Sequence, residues 1–308
     1  MQTLLHSANL RPSLRLAAVA LSCVLCAASA GCAAPRLQAQ VDEASRPGAC
    51  ERAYLSASAA DAATRAGRPL MVRYLSAEDA ADSWLEVASA CTARFQEGVM
   101  NGARAARVAQ MLAARLRLTP ENPMTVDFGS VVGLDVEAEA LDAMSLGEDR
   151  AGFAMETLAA RGVAGATLAI SDNHKTVAQR LHALAGTVED PRRKTYDAAE
   201  LVAHPDRIVD DATGLDVPTA AAVEMNCARA YLDAMSDGTD ATDGTDGTDG
   251  TDGTDGTGGS EATDSASRTA SDVVPSVETL DYLANAAMDR AWRAFTLGYP
   301  LFDEALFV

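Results

Sequence analysis

The amino-acid sequence predicts an all-α exported chain, with an N-terminal helical segment followed by a four-helix bundle. Three observations point there. Four stretches of roughly 20 residues in the C-terminal half carry apolar side chains at three- and four-residue spacing, the period of one helix face. Aromatics make up only 5% of the 308 residues, alanine is abundant and β-branched runs are scarce, a composition that favours helices packed through small side chains. Glycine or proline stops follow three of the four stretches, at Gly162, Gly186 and Gly298-Tyr299-Pro300.

The first element is not part of the fold. Arg11 and Arg15 precede an apolar run from Leu16 to Ala30, and no acidic residue occurs before Asp42. The run is shorter than the roughly 20 residues that span a bilayer and has the form of a signal peptide over residues 1–31. It ends in Ser29-Ala30-Gly31-Cys32, which resembles a lipobox. Cys32 is then the lipid-attachment residue, and acyl chains of the palmitate kind on it hold the mature protein at the cell membrane, on the extracytoplasmic face. Ser29 stands where the motif usually has Leu, and Ala28-Ser29-Ala30 is itself an A-x-A cleavage site. Plain secretion is therefore the alternative.

Residues 32–48, rich in Ala, Gln, Pro and Ser, read as a tether. The N-terminal helical region covers residues 49–118. A first helix is expected from Cys50 to Ala66, stopping at Gly67-Arg68-Pro69. Ser76-Ala77-Glu78-Asp79 resembles a capping box opening a second, long helix that runs to about Leu116, with a break at Asn101-Gly102. Thr119-Pro120-Glu121-Asn122-Pro123 stops it, and residues 119–135 are expected as a linker. The bundle, residues 136–308, holds helices over about 136–161, 164–185, 218–235 and 275–297. A polar loop is expected over 187–217, and the apolar tail 301–308 is expected to pack back onto the bundle.

A low-complexity insert occupies 236–272 and includes five consecutive Thr-Asp-Gly triplets from Thr242 to Gly256. It offers nothing apolar to bury and reads as a disordered loop. An Asp every third residue does not make a calcium loop, which gathers oxygens from alternate positions and a bidentate Glu.

Net charge is −19 and pI about 4.5. This argues against duplex nucleic acid, whose affinity comes from cationic neutralisation of phosphate. Of six cysteines, Cys23 and Cys26 leave with the signal peptide and Cys32 is committed to lipid. Cys50 and Cys91 are the natural disulfide in an oxidising compartment. Cys227 is left over, either a buried small hydrophobe or a metal ligand or reactive thiol.

The chemistry-bearing residues lie on the helix seams. Glu148 shares the stripe of Leu141, Met144, Ala151, Met155 and Leu158. His174 shares that of Ile170, Val177, Leu181 and Leu184. The third bundle helix carries Glu224 and Cys227, and the fourth carries Glu278, Asp281 and Asp289. Buried acids and histidines cost several kcal/mol unless paired or metal-bound, so Glu148, His174 and Glu224 form a candidate buried polar or metal cluster. Met100, Met111, Met144 and Met155 read as core. No G-x-S-x-G elbow and no glycine-rich phosphate loop is present, and the chain reads as more likely non-enzymatic.

From Glu148 onward the sequence resembles the actinobacterial ferritin-like domain family of unknown function. The matching features are Glu148, His174 with Arg180-Leu181 and Gly186, and Pro191 and Tyr196. Further on they are Glu224 with Ala230-Tyr231, Ala286-Ala287, Arg290-Ala291-Trp292 and Pro300. The resemblance implies a ferritin-like four-helix bundle and little about activity. No Glu-x-x-His occurs anywhere in the chain. Ser171 stands three residues before His174, so the ligand set of a di-iron site is incomplete. A buried Glu148–His174 pair and a reduced metal site from Glu148, His174 and Glu224 both remain as readings. The function expected is that of a membrane-anchored binding or scaffold module of unknown protein or small-molecule partner that needs no cofactor. The alternative is a metal-binding or redox bundle.

Overall fold

Pro69 cannot donate to a helix but sets the backbone for one, and it stands at the N-cap of the helix that follows it. The computed structural model describes residues 46–119, 126–240 and 274–302. Residues 1–45, 120–125, 241–273 and 303–308 lie outside it, and with them the signal peptide, Cys32, most of the tether, the triplet repeat and the end of the tail.

Helix α1 is Ala49–Ala63, α2 is Leu70–Ala90, and a single 3₁₀ turn at Thr92–Arg94 leads into α3, Phe95–Leu116. The expected long helix is thus two, and its start and break both differ from expectation. α2 begins at Leu70, not at the Ser76 capping box. Asn101 and Gly102 are buried inside α3, and the chain turns at Cys91 instead, where φ −131° and ψ 86° leave the helical region. The physical reason lies in the glycines. A Cβ on Gly98 would meet Ala88 N at 2.5 Å and Trp84 O at 2.7 Å, and one on Gly102 would meet Met288 Sδ at 3.0 Å. These glycines permit a close crossing of helices rather than ending one. Cys91 is bonded to Cys50, with Cα atoms 5.0 Å apart, and Tyr54 of α1 packs edge-on against Trp84 of α2.

The bundle helices are α4, Ala138–Ala160, and α5, Leu168–Ala185, followed after a connection by α7, Thr219–Asp240, and α8, Val277–Thr296. Thr167 caps α5 by accepting from Ile170 N, and Ser276 caps α8 by accepting from Thr279 N. Gly186 ends α5 in the left-handed conformation at φ 66°. α5 packs on α4, α4 on α7, and α7 on α8. α8 also packs on α2 and α3, so it is buried along most of its length.

One core runs from Ala53 to Tyr299 through both halves. The segment expected as a linker contributes to it: Phe128 and Val131 are buried, and Arg180 Nε donates to Phe128 O at 3.0 Å. The protein is an all-α helical bundle in which the N-terminal helices and the C-terminal four share α8.

The expected polar loop 187–217 holds structure of its own. A short helix, α6, covers Ala199–Ala203, and two strands, β1 (Arg207–Val209) and β2 (Asp216–Pro218), pair antiparallel with Ile208 opposite Val217. Pro218 therefore closes a strand rather than opening α7. A polar clasp pins this ribbon. Arg229 of α7 grips both oxygens of Asp210 at 3.0 and 2.8 Å, and Tyr299, beyond α8, donates to Asp210 and lies 3.1 Å from Thr213 Oγ1. Met111 and Phe302, expected inside, are exposed, while Leu301 packs against the core.

Candidate functional site

Each of four helices places an acidic or basic side chain at the centre of the bundle. Glu148 comes from α4, His174 from α5, Glu224 from α7 and Arg290 from α8, and none of the first three has any measurable exposure. Close helix approach makes this possible. Gly152 of α4 leaves room for Ser171 and His174, since a Cβ there would meet Ser171 O at 3.1 Å and His174 Cβ at 3.3 Å.

Glu148 is the hub. Arg290 Nε donates to its Oε1 at 2.9 Å and Arg290 Nη2 to its Oε2 at 3.1 Å, the bidentate grip of guanidinium on carboxylate. Tyr231 Oη donates to Oε1 at 2.8 Å. His174 Nδ1 lies 2.6 Å from Oε2, and its Nε2 lies 3.3 Å from Glu224 Oε1. Asn173 Oδ1 accepts from Arg290 at 3.1 Å.

The electrostatics follow from these contacts. Burial alone would raise Glu148, but Arg290 and His174 outweigh it and bring its pKa down to about 2. Burial and Arg290 push His174 down, but its contacts with Glu148 and Glu224 prevail, and its pKa is raised. The geometry agrees independently. A carboxylate only accepts, and a neutral imidazole has one N–H, so two carboxylate partners call for the imidazolium. Two cations then meet two carboxylates, and the cluster neutralises itself. Burial pushes the Cys227 thiol and the Tyr231 phenol well up, so both stay protonated at neutral pH.

The structure brings together Glu148, His174 and Glu224. Cys227 lies beside them, Sγ 4.0 Å from His174 Nδ1, and is the one free cysteine among the described residues. Of the acids of α8, Glu278 is exposed and Asp281 is half-buried. Asp289 is buried at the edge of the cluster, 3.6 Å from Arg290 Nη1, and accepts from Arg293 at 2.9 Å. At the centre itself the fourth helix supplies a cation, Arg290.

Arg290 and Tyr231 are the residues that seam reasoning gave no role, although the signal existed. Arg290 continues the α8 stripe of Leu283, Ala287 and Ala294, just as Glu148 and His174 interrupt theirs. Ser171, at the position of the absent glutamate, donates to Gly152 O at 2.8 Å and ties α5 to α4.

Ligand atoms of Glu148, His174 and Cys227 lie within 4.8 Å of one another, the spacing of a metal cluster. Glu224 Oε2 is buried with no hydrogen-bond partner. Against a cation stand the guanidinium that engages both oxygens of Glu148 and the protonated ring of His174, because a metal would have to displace the one and deprotonate the other. Among the described residues no helix is long and apolar enough to cross a membrane. Comparison with protein families, curated proteins and solved structures finds no match.

Proposed function

We propose that this chain is a lipoprotein anchored through Cys32 at the extracytoplasmic face of the cell membrane. Its helical body is a non-enzymatic binding or scaffold module of the cell envelope. The observation that carries the non-enzymatic half is the self-neutralised cluster. Glu148 is engaged by Arg290, His174 and Tyr231 at once, which suits a buried structural hub rather than an open coordination site. The Cys50–Cys91 bond supports an oxidising compartment, and the lipobox-like Ala30-Gly31-Cys32 supports the anchor. Kinship with the actinobacterial ferritin-like family belongs to the same proposal, and its support is the order of helices and of the matching residues from Glu148 to Pro300.

A second reading, a metal-binding or redox bundle, is favoured by the spacing of Glu148, His174 and Cys227 and by the unpartnered Glu224 Oε2. One preparation tests both. Wild-type protein is expected in the membrane fraction, and Cys32→Ala is expected to be released or left unprocessed. The purified protein is expected to carry no stoichiometric iron, manganese or zinc. Soluble wild type with its N-terminus at Gly31 overturns the anchor. Two iron ions per chain with oxidase activity overturn the structural reading of the cluster.

A further inference from the structure

The chain contains only two lysines, Lys175 and Lys194, and both line the same surface groove. The groove has a volume of about 510 Å³ and lies between the C-terminal half of α4, α5 and the segment leading into α6. That size is within the range of small-molecule sites. Arg161 and Arg193 also line it, against two acids, Asp149 and Glu156.

Both acids are already engaged. Glu156 pairs with Lys175, and Asp149 accepts from Tyr196 Oη at 2.7 Å. Arg161, Arg193 and Lys194 have no carboxylate in ion-pair reach among the described residues. Unpaired cations gathered at one concavity are notable in a protein of net charge −19. A cationic concavity concentrates anions.

The groove is also held in shape. Tyr196 donates to Asp149 and accepts from Arg193 N at 3.0 Å, and its ring packs edge-on against Phe153, centroids 5.5 Å apart. Arg192 grips both oxygens of Asp190 at 2.9 and 2.7 Å. Tyr196 thus ties the segment that carries Arg193 and Lys194 to Asp149 and Phe153 of α4. Such preorganisation lowers the entropic cost of binding.

We propose that this groove binds a small organic phosphate. Arg193, Lys194 and Lys175 take the phosphate oxygens, Arg by its planar fork and Lys as a point charge, and the edge of Phe153 meets the organic part. The inference deepens the binding-module reading by naming a ligand class. A diffusible phosphate suits the site better than a headgroup in an anionic bilayer, because the chain's overall negative charge repels an extended surface of like sign.

The test is isothermal calorimetry of the full chain with inorganic pyrophosphate in low-salt buffer free of divalent cations. Saturable binding of one pyrophosphate per chain is expected. Arg193→Ala with Lys194→Ala is expected to weaken it by about a hundredfold, since each charge-assisted contact is worth about a factor of ten. Arg207→Ala, an exposed arginine paired with Asp216, is expected to leave the affinity unchanged. An unchanged melting temperature in the double variant shows that the fold is intact. If it falls, Lys175→Ala alone must show the loss of affinity.

A second arm uses vesicles of phosphatidylglycerol. Vesicle binding that the double variant loses and pyrophosphate displaces supports the site and assigns its phosphate to lipid. No saturable pyrophosphate binding, or affinity that the variants do not move, overturns the proposal. Neither result bears on anchoring or metal content, so failure here is distinct from failure of the broader reading.

Discussion

The helices α1–α3 and the bundle α4, α5, α7 and α8 share a core but are held together by opposite means. In the N-terminal layer the backbones themselves touch, with Gly98 set against Ala88 N and Trp84 O, and a covalent bond ties Cys50 to Cys91. Its interior is chiefly apolar, alanine above all, with Trp84, Val87, Phe95, Val99 and Met100. The bundle instead encloses acidic and basic side chains that pair with one another, Glu148 with Arg290 and His174, and His174 with Glu224. The ion pairs of the N-terminal region, such as Arg104 with Asp61, are partly exposed, so little of its stability hangs on any one charge. A region built round buried charges stands or falls with the pairing, because each charge left without its partner bears the full cost of desolvation. The two halves therefore respond to different insults, and α8, which packs on both, transmits each response to the whole fold.

The largest expected effect is in the bundle. Arg290→Met leaves Glu148 buried without its bidentate partner and should destabilise by about 3–5 kcal/mol, a fall in melting temperature on the order of 10 °C. Glu148→Gln with Arg290→Met should cost less than the two single changes added together, because the pair is removed as a unit. A loss below about 1 kcal/mol for Arg290→Met would show that the cluster is solvated in solution and would erase the contrast.

In the N-terminal layer the cross-link ranks next. Cys50 and Cys91 are 41 residues apart, and removing the bond by Cys50→Ser with Cys91→Ser should cost about 3–4 kcal/mol through the freed unfolded chain. Denaturant titration under reducing and oxidising conditions checks it, because wild type and variant should coincide only when reduced. A smaller effect belongs to the close crossing. Gly98→Ala should cost about 1–3 kcal/mol by overpacking against backbone that cannot move aside. Gly133→Ala, with nothing within 4 Å of the new Cβ, should stay within about 0.5 kcal/mol. A Gly98→Ala cost no larger than that of Gly133→Ala would mean that the crossing relaxes to admit the methyl group and is not held by backbone contact.

The bundle was the more legible half. Glu148 and His174 stood out because each interrupts an apolar stripe, and burial follows from the stripe. Arg290 obeys the same rule on α8, but the di-iron pattern calls for an acid from the fourth helix, and a cation stands there instead. In the N-terminal half the local signals competed with tertiary ones. The Ser76-Ala77-Glu78-Asp79 motif sits inside α2 because the preceding turn, Leu70 to Leu75, is already helical after Pro69. The true break at Cys91 carries no glycine or proline. The β1–β2 ribbon has three-residue strands, too short for a periodic signal. It is pinned by Tyr299, 89 residues from Asp210, a contact that no local window contains. The anchor and the triplet repeat fall outside the described residues.

The subtlest way to separate the two halves is pH. Glu148, lowered to about 2 from 4.5, contributes stability that is present above pH 4.5 and lost as pH falls toward 2. His174, raised above 6.5, contributes stability that is present below pH 6.5 and lost as pH rises through its folded value. Asp289, raised chiefly by burial, opposes Glu148 on the acid side, so the alkaline limb is the diagnostic one. The groups facing His174 are Glu148 from α4, Glu224, Cys227 and Tyr231 from α7, and Arg290 from α8. Of these, Cys227 and Tyr231 begin to matter only above their ordinary values of 9 and 10. The Asp210–Arg229–Tyr299 clasp adds nothing in this window, since Asp210 is lowered and Tyr299 raised. The melting temperature should therefore decline from pH 6.5 toward 9. The decline should persist when Cys50 and Cys91 are replaced, and it should flatten in His174→Gln, whose side chain cannot titrate. A slope that survives His174→Gln would place the pH dependence outside the bundle centre and remove the chemical difference between the two halves.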